Sequence, residues 1–299
     1  MLALVIASVL WGTTGTAATF FPDDVSPLAI GACTMGVGGI LLFLVSVRPS
    51  LGVLRDRAAR RWVALGAIGV LVYPLAFYSG MNLAGVAVGN VVALGSGPVF
   101  AALLEWVWER HPLSARWAVA TGLALVGIVL LTLGRHPEAS DAAAGSGRTI
   151  AGVGLGLLAG FAYALYTYAS SRAIGITGPA SSRGVMGSMF GLGALLLLPV
   201  LLITGAPLLQ SPTTIGIAAY LVIGPMFVAY LLFGIGLRSI RSSAATTITL
   251  LEPVVATVLA VTIVGERLDP IGWIGLVLVL AGIVILVTAR PAPKPAARL

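Results

Sequence analysis

Charged side chains are scarce in this chain of 299 residues, where Asp, Glu, Lys and Arg together make up 9% of the sequence. A soluble globular domain carries about 25% charged residues. Hydrophobic residues account for 59% of the chain, and the mean hydropathy is +1.07. Too few charges are available to cover a water-facing surface, which excludes soluble enzymes, nucleic-acid-binding proteins and disordered chains. The composition predicts a polytopic membrane protein.

The chain also lacks the residues that most cofactor and metal chemistry requires. Cys33 is its only cysteine, so no intrachain disulfide is possible, and both histidines, His111 and His136, lie in predicted loops. The sequence contains no GxxxxGK loop, no HExxH motif and no cysteine cluster. We therefore expect no ATP site, no metal site and no cofactor, and we predict that the chain is not an enzyme.

Apolar runs divide the chain into ten predicted membrane spans, since a spanning helix needs about 20 mostly apolar residues. The predicted spans are Leu2–Phe21, Pro27–Val47, Trp62–Tyr78, Val86–Trp106, Trp117–Leu133, Ile150–Ala169, Gly184–Thr204, Ile215–Leu237, Ala244–Val264 and Ile271–Thr288. The third and fourth runs almost merge, so nine spans is the alternative. The first run follows no basic segment, so we interpret it as a retained span and not as a signal peptide.

Basic residues lie almost entirely on one side of the predicted membrane. Cytoplasmic loops of membrane proteins carry the excess of Lys and Arg. With ten spans and both termini inside, 14 of the 17 basic residues are internal, and only Arg135, Arg148 and Arg267 are external. Removing one span would scramble this alternation. We predict ten spans, both termini in the cytoplasm, and a location in the inner (plasma) membrane of a bacterium.

The two halves of the chain resemble each other. Leu125–Thr132 (LVGIVLLT) matches Leu280–Val287 (LAGIVILV) 155 residues later, and Trp11 pairs with Tyr163 at an offset of 152. Each copy holds five spans, and this odd number inverts the second copy in the membrane. We predict an all-α integral membrane protein of ten transmembrane helices, arranged as two inverted five-helix repeats around a central cavity. The predicted parts are a first repeat (1–134), a linker loop (135–148), a second repeat (149–288) and a cytoplasmic tail (289–299).

Prolines interrupt matching spans of the two copies. Pro74 and Pro225 lie in the third and eighth spans, and Pro98 and Pro253 lie in the fourth and ninth. Proline removes a helical hydrogen bond, and interrupted spans in matching places point toward a substrate site between the halves. We interpret the four prolines as helix breaks or hinges. Kinks that only serve helix packing are the alternative.

Three segments carry the motifs of a known family. They are the Trp11-Gly12 pair, Leu251–Pro270 (LEPVVATVLAVTIVGERLDP) and Gly275–Leu286 (GLVLVLAGIVIL), and the first copy has counterparts in Gly97–Leu113 and Gly122–Leu131. Over nearly its whole length the chain resembles the drug/metabolite transporter superfamily, specifically the ten-span EamA type. It is most similar to YddG-type exporters of aromatic and other amino acids. The resemblance implies export from the cytoplasm, by alternating access, through a central cavity lined by both halves.

Aromatic side chains of the first and sixth spans are the leading candidates for substrate binding. Trp11 and Tyr163 occupy equivalent positions, and Thr14 and Tyr166 follow each of them by three residues on the same helix face. Two aromatics at the pseudo-symmetry axis could hold an apolar or aromatic substrate side chain, with hydroxyl or indole groups on its polar end. Helix packing or an interfacial belt is the alternative.

Polar residues around the predicted turn between the third and fourth spans form a second group of candidates. Tyr78, Asn82 and Asn90 flank this turn. Asparagine both donates and accepts hydrogen bonds, which suits a zwitterionic amino acid. Capping of helix ends near the outer surface is the alternative.

Acidic residues inside the spans are the remaining candidates. A charge at mid-membrane costs about 2.5–3.5 kcal/mol and indicates function, so Glu252 is expected to bind a substrate ammonium group or to carry a proton. Bonding of backbone groups freed by the proline kink is the alternative role. We interpret Glu105 as structural, and we expect Glu109-Arg110 and Glu266-Arg267 to form local ion pairs.

These features favour a secondary transporter or facilitator that exports amino acids and similar small metabolites, with proton-coupled and uncoupled transport both open. Export of drug-like or nucleotide-derived solutes is the alternative, although phosphates would need basic residues in the cavity. An intramembrane lipid-processing enzyme lacks a suitable catalytic cluster. The expected partners are the substrate and the lipid bilayer, without nucleic acid. We expect a monomer, with a dimer through Gly187–Gly191 (GSMFG) as the alternative.

Overall fold

The computed structural model describes residues 1–22, 24–84, 86–110, 113–134, 146–264 and 267–288, and all regular elements within them are helices. The α-helices are α1 (Leu2–Ala18), α2 (Pro27–Leu44), α3 (Val47–Arg55), α4 (Arg57–Ala84), α5 (Val86–Glu109), α6 (Ala115–Leu133), α7 (Ser146–Thr177), α8 (Ser182–Thr204), α9 (Pro212–Leu221), α10 (Ala229–Gly236), α11 (Ser242–Ile248), α12 (Leu251–Leu259) and α13 (Pro270–Val287). Short 3₁₀ turns cover Pro179–Ser181 and Ala206–Leu209, and π-helical turns cover Val222–Val228 and Ala260–Val264. Most of the predicted linker loop and the whole predicted tail lie outside the described residues.

Eight of the described helical segments are long and apolar enough to cross a membrane, with α9–α10 and α11–α12 each forming one segment. The apolar helices α1 and α13 are shorter. At 1.5 Å per residue, the 17 residues of α1 extend over about 26 Å, slightly less than the hydrocarbon core of a bilayer. The prediction of an all-helical, multi-pass membrane protein is confirmed. The count of ten spans stays a prediction.

Helix α4 is longer than the predicted third span. The prediction covers Trp62–Tyr78, whereas the helix runs from Arg57 to Ala84 and leaves only position 85 before α5 begins. The polar turn expected after Tyr78 is therefore wrong for residues 79–84. The reason is tertiary, since Gly80 brings the last turns of α4 against the backbone of α7.

Successive spanning segments run in opposite directions, which gives the bundle two chemically different ends. Leu4 of α1 lies against Gly236 of α10 at one end, and Ala84 of α4 lies against Gly152 of α7 at the other. We name the first the arginine-rich end, after its basic residues Arg48, Arg55, Arg57, Arg60, Arg61, Arg110, Arg116, Arg172, Arg183, Arg238 and Arg241. We name the second the linker end, because α6 ends and α7 begins there.

Glycines allow the helices of the two halves to approach closely. The most extensive helix contacts join α4 to α7, α2 to α8, and α6 to α13. A Cβ atom added at Gly80 would lie 3.1 Å from the carbonyl oxygen of Gly152, and one added at Gly127 would lie 2.6 Å from that of Gly275. Small residues are what permit such backbone proximity between membrane helices.

The Gly187–Gly191 segment takes part in packing within the chain. A Cβ atom at Gly187 would meet the carbonyl oxygen of Leu42 at 2.8 Å, and one at Gly191 would meet the Cβ atom of Phe43 at 2.9 Å. Both glycines therefore face α2.

Candidate functional site

A cavity lies between the two halves of the chain, with about 660 Å³ of free space including its mouth. On α1, α4 and α5 its lining residues lie in the half of each helix that is nearer the linker end. The lining residues are Trp11, Thr14, Thr34, Met35, Tyr73, Pro74, Phe77, Tyr78, Leu94, Tyr163, Tyr166, Leu221, Pro225, Met226, Tyr230 and Glu252. The predicted site residues Trp11, Thr14, Tyr78, Tyr163, Tyr166 and Glu252 thus meet at one cavity.

Aromatic rings from four helices form a continuous cluster on the cavity wall. The ring centroid of Trp11 lies 5.0 Å from that of Tyr230, which lies 6.2 Å from Tyr166. Tyr73 lies 5.9 Å from both Tyr163 and Tyr166. Tilted and edge-to-face rings at these distances attract one another and hold each ring in place. Trp11 and Tyr163, which are predicted to be equivalent in the repeat, line the same cavity, and other tyrosines connect them.

Hydrogen bonds of their hydroxyl groups fix three of these tyrosines further. The Tyr163 hydroxyl pairs with Thr249 Oγ1 at 2.6 Å, and the hydroxyls of Tyr166 and Tyr230 pair at 2.9 Å. Both hydrogen bonds are buried, and both join α7 of the second half to later helices of the same half. The rings are therefore held in defined orientations before any ligand binds.

The ninth predicted span is interrupted just before Pro253. Helix α11 ends at Ile248 and α12 begins at Leu251. Proline has no N–H for the carbonyl oxygen of Thr249, four residues earlier, and this oxygen accepts from the N–H of Glu252 instead, at 2.9 Å. The break thus lies at residues 249–250, three to four residues before the predicted position, and α12 continues through Pro253.

The side chain of Glu252 faces the cavity. Within the described chain its carboxylate has neither a hydrogen-bond donor nor an ion-pair partner. The structure therefore gives no support to the alternative in which this carboxylate bonds the backbone groups freed by the proline.

The other three prolines behave differently from one another. Pro225 lines the cavity inside the π-helical turn Val222–Val228, so the eighth predicted span is distorted there. Pro74 also lines the cavity, and Pro98 is buried in α5. Helices α4 and α5 continue through Pro74 and Pro98, so the predicted helix break is wrong at both positions. A hinge role for any of the four stays a prediction.

The two asparagines do not join the cavity lining. Asn82 is exposed in the last turn of α4, and Asn90 lies in α5 with its buried Oδ1 atom unpartnered in the described chain. Because α4 continues past Tyr78, Asn82 lies about one helical turn nearer the linker end than Tyr78 does. The predicted pair of asparagines around a zwitterion is therefore not assembled here.

A buried carboxylate closes the bundle at the arginine-rich end. Glu105, only 4% exposed, accepts hydrogen bonds from the hydroxyl of Ser242 at 2.6 Å and from the N–H of Ser243 at 2.9 Å. Its second oxygen accepts from the Ser243 hydroxyl at 2.7 Å. The prediction recognised Glu105 as structural. It did not identify the partners, because no sequence signal pairs a glutamate with serines 137 and 138 residues away.

A second acidic residue joins the same halves. Glu109 lies 3.3 Å from Arg172 Nη1 and 3.6 Å from Arg241 Nη1. Arg110 instead lies over the ring of Trp106, 5.5 Å from its centroid. The prediction of a local Glu109-Arg110 pair is wrong, because Arg110 has a positive φ of 52° and ends the helix. The other predicted pair involves position 266, which is outside the described residues.

Comparison with known proteins identifies the family. The model of the EamA-like transporter family matches residues 1–133 and 150–288, which together span nearly the whole chain. The chain belongs to the EamA-like transporter family. The predicted family membership is thereby confirmed, and with it a multi-pass membrane transporter. The location in the inner membrane of a bacterium stays a prediction. The narrower similarity to YddG-type exporters stays a prediction.

This EamA-like transporter is similar to several bacterial proteins. It is 33% identical to the "Uncharacterized transporter YwfM" of Bacillus subtilis, over 99% of this chain and 96% of that protein. It is 24% identical to the "Uncharacterized inner membrane transporter YicL" of Salmonella typhimurium, over 96% and 94%. A solved crystal structure shares its fold with a TM-score of 0.77 at 20% identity, covering 95% of this chain and 94% of that one.

Proposed function

We propose that this transporter exports amino acids, aromatic and other apolar ones, and similar small metabolites across the inner membrane by alternating access. The observation that carries the proposal is the central cavity, whose wall combines aromatic rings with hydroxyl groups. Such a wall suits a ligand with an apolar body and a polar end. The resemblance to YddG-type exporters supports the same class of substrate.

The helix contacts support two inverted five-helix repeats. In the proposed repeat, α1 corresponds to α7, α4 to α10 and α5 to α12. The contact of α5 with α7 therefore corresponds to that of α12 with α1, and the contact of α4 with α7 corresponds to that of α10 with α1. All four contacts are present. The other two extensive contacts, of α2 with α8 and of α6 with α13, each join two helices that correspond to one another. Pseudo-two-fold symmetry of this kind allows a cavity to open alternately to the two sides.

The distribution of arginines supports an orientation with the arginine-rich end in the cytoplasm. In that orientation, the contacts of Glu105 and Glu109 close the cavity on its cytoplasmic side. The conformation is then one in which the cytoplasmic path is shut and the cavity lies toward the external side. Export would require the opposite conformation for loading.

Transport by purified protein in liposomes tests the proposal. Uptake of radiolabelled phenylalanine would be measured with unlabelled tyrosine, tryptophan and glycine as competitors, in liposomes with and without an imposed pH gradient. We expect saturable uptake that tyrosine and tryptophan inhibit more strongly than glycine does. Protein-free liposomes are the control. A response to the gradient would indicate proton coupling, and its absence would indicate facilitation.

The absence of saturable uptake for every amino acid would overturn amino-acid export. Nucleotide-derived solutes are the less favoured substrates, because none of the described lining side chains is basic and could neutralise a phosphate.

A further inference from the structure

The described wall of the central cavity carries an acidic side chain and no basic one. Glu252 is the one carboxylate on its wall, and the fifteen other described lining side chains include no lysine, arginine or histidine. The described arginines lie at the two ends of the bundle. A carboxylate that lies at mid-membrane without a protein counter-ion attracts a cationic ligand strongly, because the low-dielectric protein and lipid around it screen the electrostatic attraction only weakly.

This acidic side chain belongs to only one of the two predicted repeats. The offset of 155 residues that places Pro98 on Pro253 places Gly97 on Glu252. Gly97 lies against the ring of Tyr163, where an added Cβ atom would approach the ring to 2.9 Å. The first repeat therefore supplies neither a second carboxylate nor a compensating cation at the matching position.

The same wall presents the aromatic cluster of Trp11, Tyr73, Tyr163, Tyr166 and Tyr230. The faces of such rings attract ammonium groups, and quaternary ammonium ligands are bound by aromatic cages. The hydroxyls of Tyr163 and Tyr166 are engaged in hydrogen bonds, which hold these two rings in place. The carboxylate and the rings thus favour the same kind of ligand group.

We infer that the cavity selects its ligands by charge, and that it takes small amines and quaternary ammonium compounds with an aromatic or apolar body in preference to zwitterions and anions. The inference rests on the proposed function, in which this cavity is the transport site. A zwitterionic amino acid satisfies Glu252 with its ammonium group but must place its own carboxylate where only neutral hydroxyl groups are available. An anion has no cationic partner at all.

Three probes that share a phenylethyl body and differ in charge test the inference. They are phenethyltrimethylammonium (a fixed cation), phenylalanine (a zwitterion) and N-acetylphenylalanine (an anion). The fixed charge prevents the cation from crossing the bilayer as a neutral amine. Initial uptake rates of the radiolabelled probes would be compared in the same proteoliposomes. We expect kcat/KM to be about tenfold higher for the cation than for phenylalanine, and to be lowest for the anion.

Two substitutions of Glu252 separate charge from structure. Glu252→Gln is expected to abolish the preference for the cation, and Glu252→Asp is expected to keep it. Asp24→Asn is the matched control, because Asp24 is an exposed residue at the linker end whose carboxylate accepts from Gln210 at 2.8 Å, away from the cavity. It removes one negative charge and should leave the order of the three probes unchanged.

The outcomes distinguish the inference from the proposed function. Equal or faster uptake of phenylalanine by the wild-type protein would overturn charge selection while leaving amino-acid export intact. A preference for the cation that survives Glu252→Gln would overturn the role of this carboxylate. Uptake of the cation without any amino acid would support the inference and overturn amino-acid export. Uptake of none of the probes would overturn both.

Discussion

Glu105 of α5 and Ser243 of α11 are joined by two hydrogen bonds, one to each carboxylate oxygen, from the serine N–H at 2.9 Å and from its hydroxyl at 2.7 Å. The pair connects the first half of the chain to the second at the arginine-rich end. It also satisfies a backbone N–H at the start of α11, which has no partner within the helix. Hydrogen bonds to a charged group are worth about 1.5–3 kcal/mol each. The pair therefore stabilises closure of this end.

The predicted sequence repeat pairs these residues with residues of a different kind. An offset of 155 residues relates Glu105 to Ala260, and it relates Ser242 and Ser243 to Ala87 and Val88. Alanine and valine side chains cannot form the same hydrogen bonds. Under the proposed pseudo-symmetry, the hydrogen bonds of Glu105 are therefore available at the arginine-rich end and not at the matching positions.

Replacing Glu105 by alanine is expected to open the arginine-rich end. The reporter is Thr246→Cys in a Cys33→Ser background, because Thr246 is fully buried and its hydroxyl bonds only to its own helix. Loss of about 1.4 kcal/mol shifts a two-state equilibrium tenfold. We expect labelling of the cysteine by a membrane-impermeant maleimide to become about tenfold faster. Asp24→Ala, at the linker end, is the control, and an unchanged labelling rate with Glu105→Ala would contradict the prediction.

Two glycines of α7, two residues apart in the sequence, are expected to respond oppositely to the same substitution. A Cβ atom at Gly152 would lie 2.5 Å from the backbone nitrogen of Ala84, whereas one at Gly154 has no neighbour within 4 Å. Gly152→Ala should destabilise the protein by about 1–3 kcal/mol through overpacking. Gly154→Ala should leave stability unchanged or slightly raised, because alanine favours helix. Thermal unfolding in detergent measures both, and equal midpoints would refute the α4–α7 contact.

Replacing Trp11 by leucine is expected to impair transport without unfolding the protein. Trp11 is 9% exposed, and its ring lies 5.0 Å from Tyr230 and 5.3 Å from Phe233. Leucine keeps much of the apolar volume but removes the aromatic face. We expect kcat/KM for phenylalanine to fall at least about tenfold, or about 1.4 kcal/mol. Trp273→Leu is the matched control, because Trp273 is 46% exposed on α13. This variant should keep full transport activity. A similar loss of activity in both variants would argue against a role of Trp11 in the cavity.

Labelling of single cysteines from the two sides of the membrane tests the ten-span topology. In the Cys33→Ser background, cysteine would replace Ala58, Ser140 or Ala296 in separate variants. We expect an impermeant maleimide to label position 140 in intact cells, and positions 58 and 296 only in inverted vesicles. Five spans on each side of position 140 would place it opposite to both termini. Labelling of positions 140 and 296 from the same side would exclude ten spans.

Several candidate site residues could be predicted from the sequence, and others could not. Trp11 and Tyr163 could be predicted because the repeat relates these two aromatic residues, and Glu252 because it is an ionisable residue inside an apolar run. Tyr73, beside Pro74, and Tyr230, after Pro225, are only weaker candidates in the sequence. Their place in one aromatic cluster depends on helices distant in the chain. Asn82 misled the prediction, since its position outside the cavity depends on where α4 ends.

The sequence by itself determined the class of protein, its family and the arrangement of its charges, because a chain with so few charged residues and such long apolar runs can bury its surface only in a lipid bilayer. Only the tertiary structure decided which side chains share the cavity and which close the arginine-rich end. The physical reason is that spanning helices are apolar on the faces toward lipid as well as toward protein. Periodicity therefore does not reveal how each helix is rotated. Contacts such as those at Gly80 and Gly152 set that rotation, and with it the place of Glu252 and Glu105.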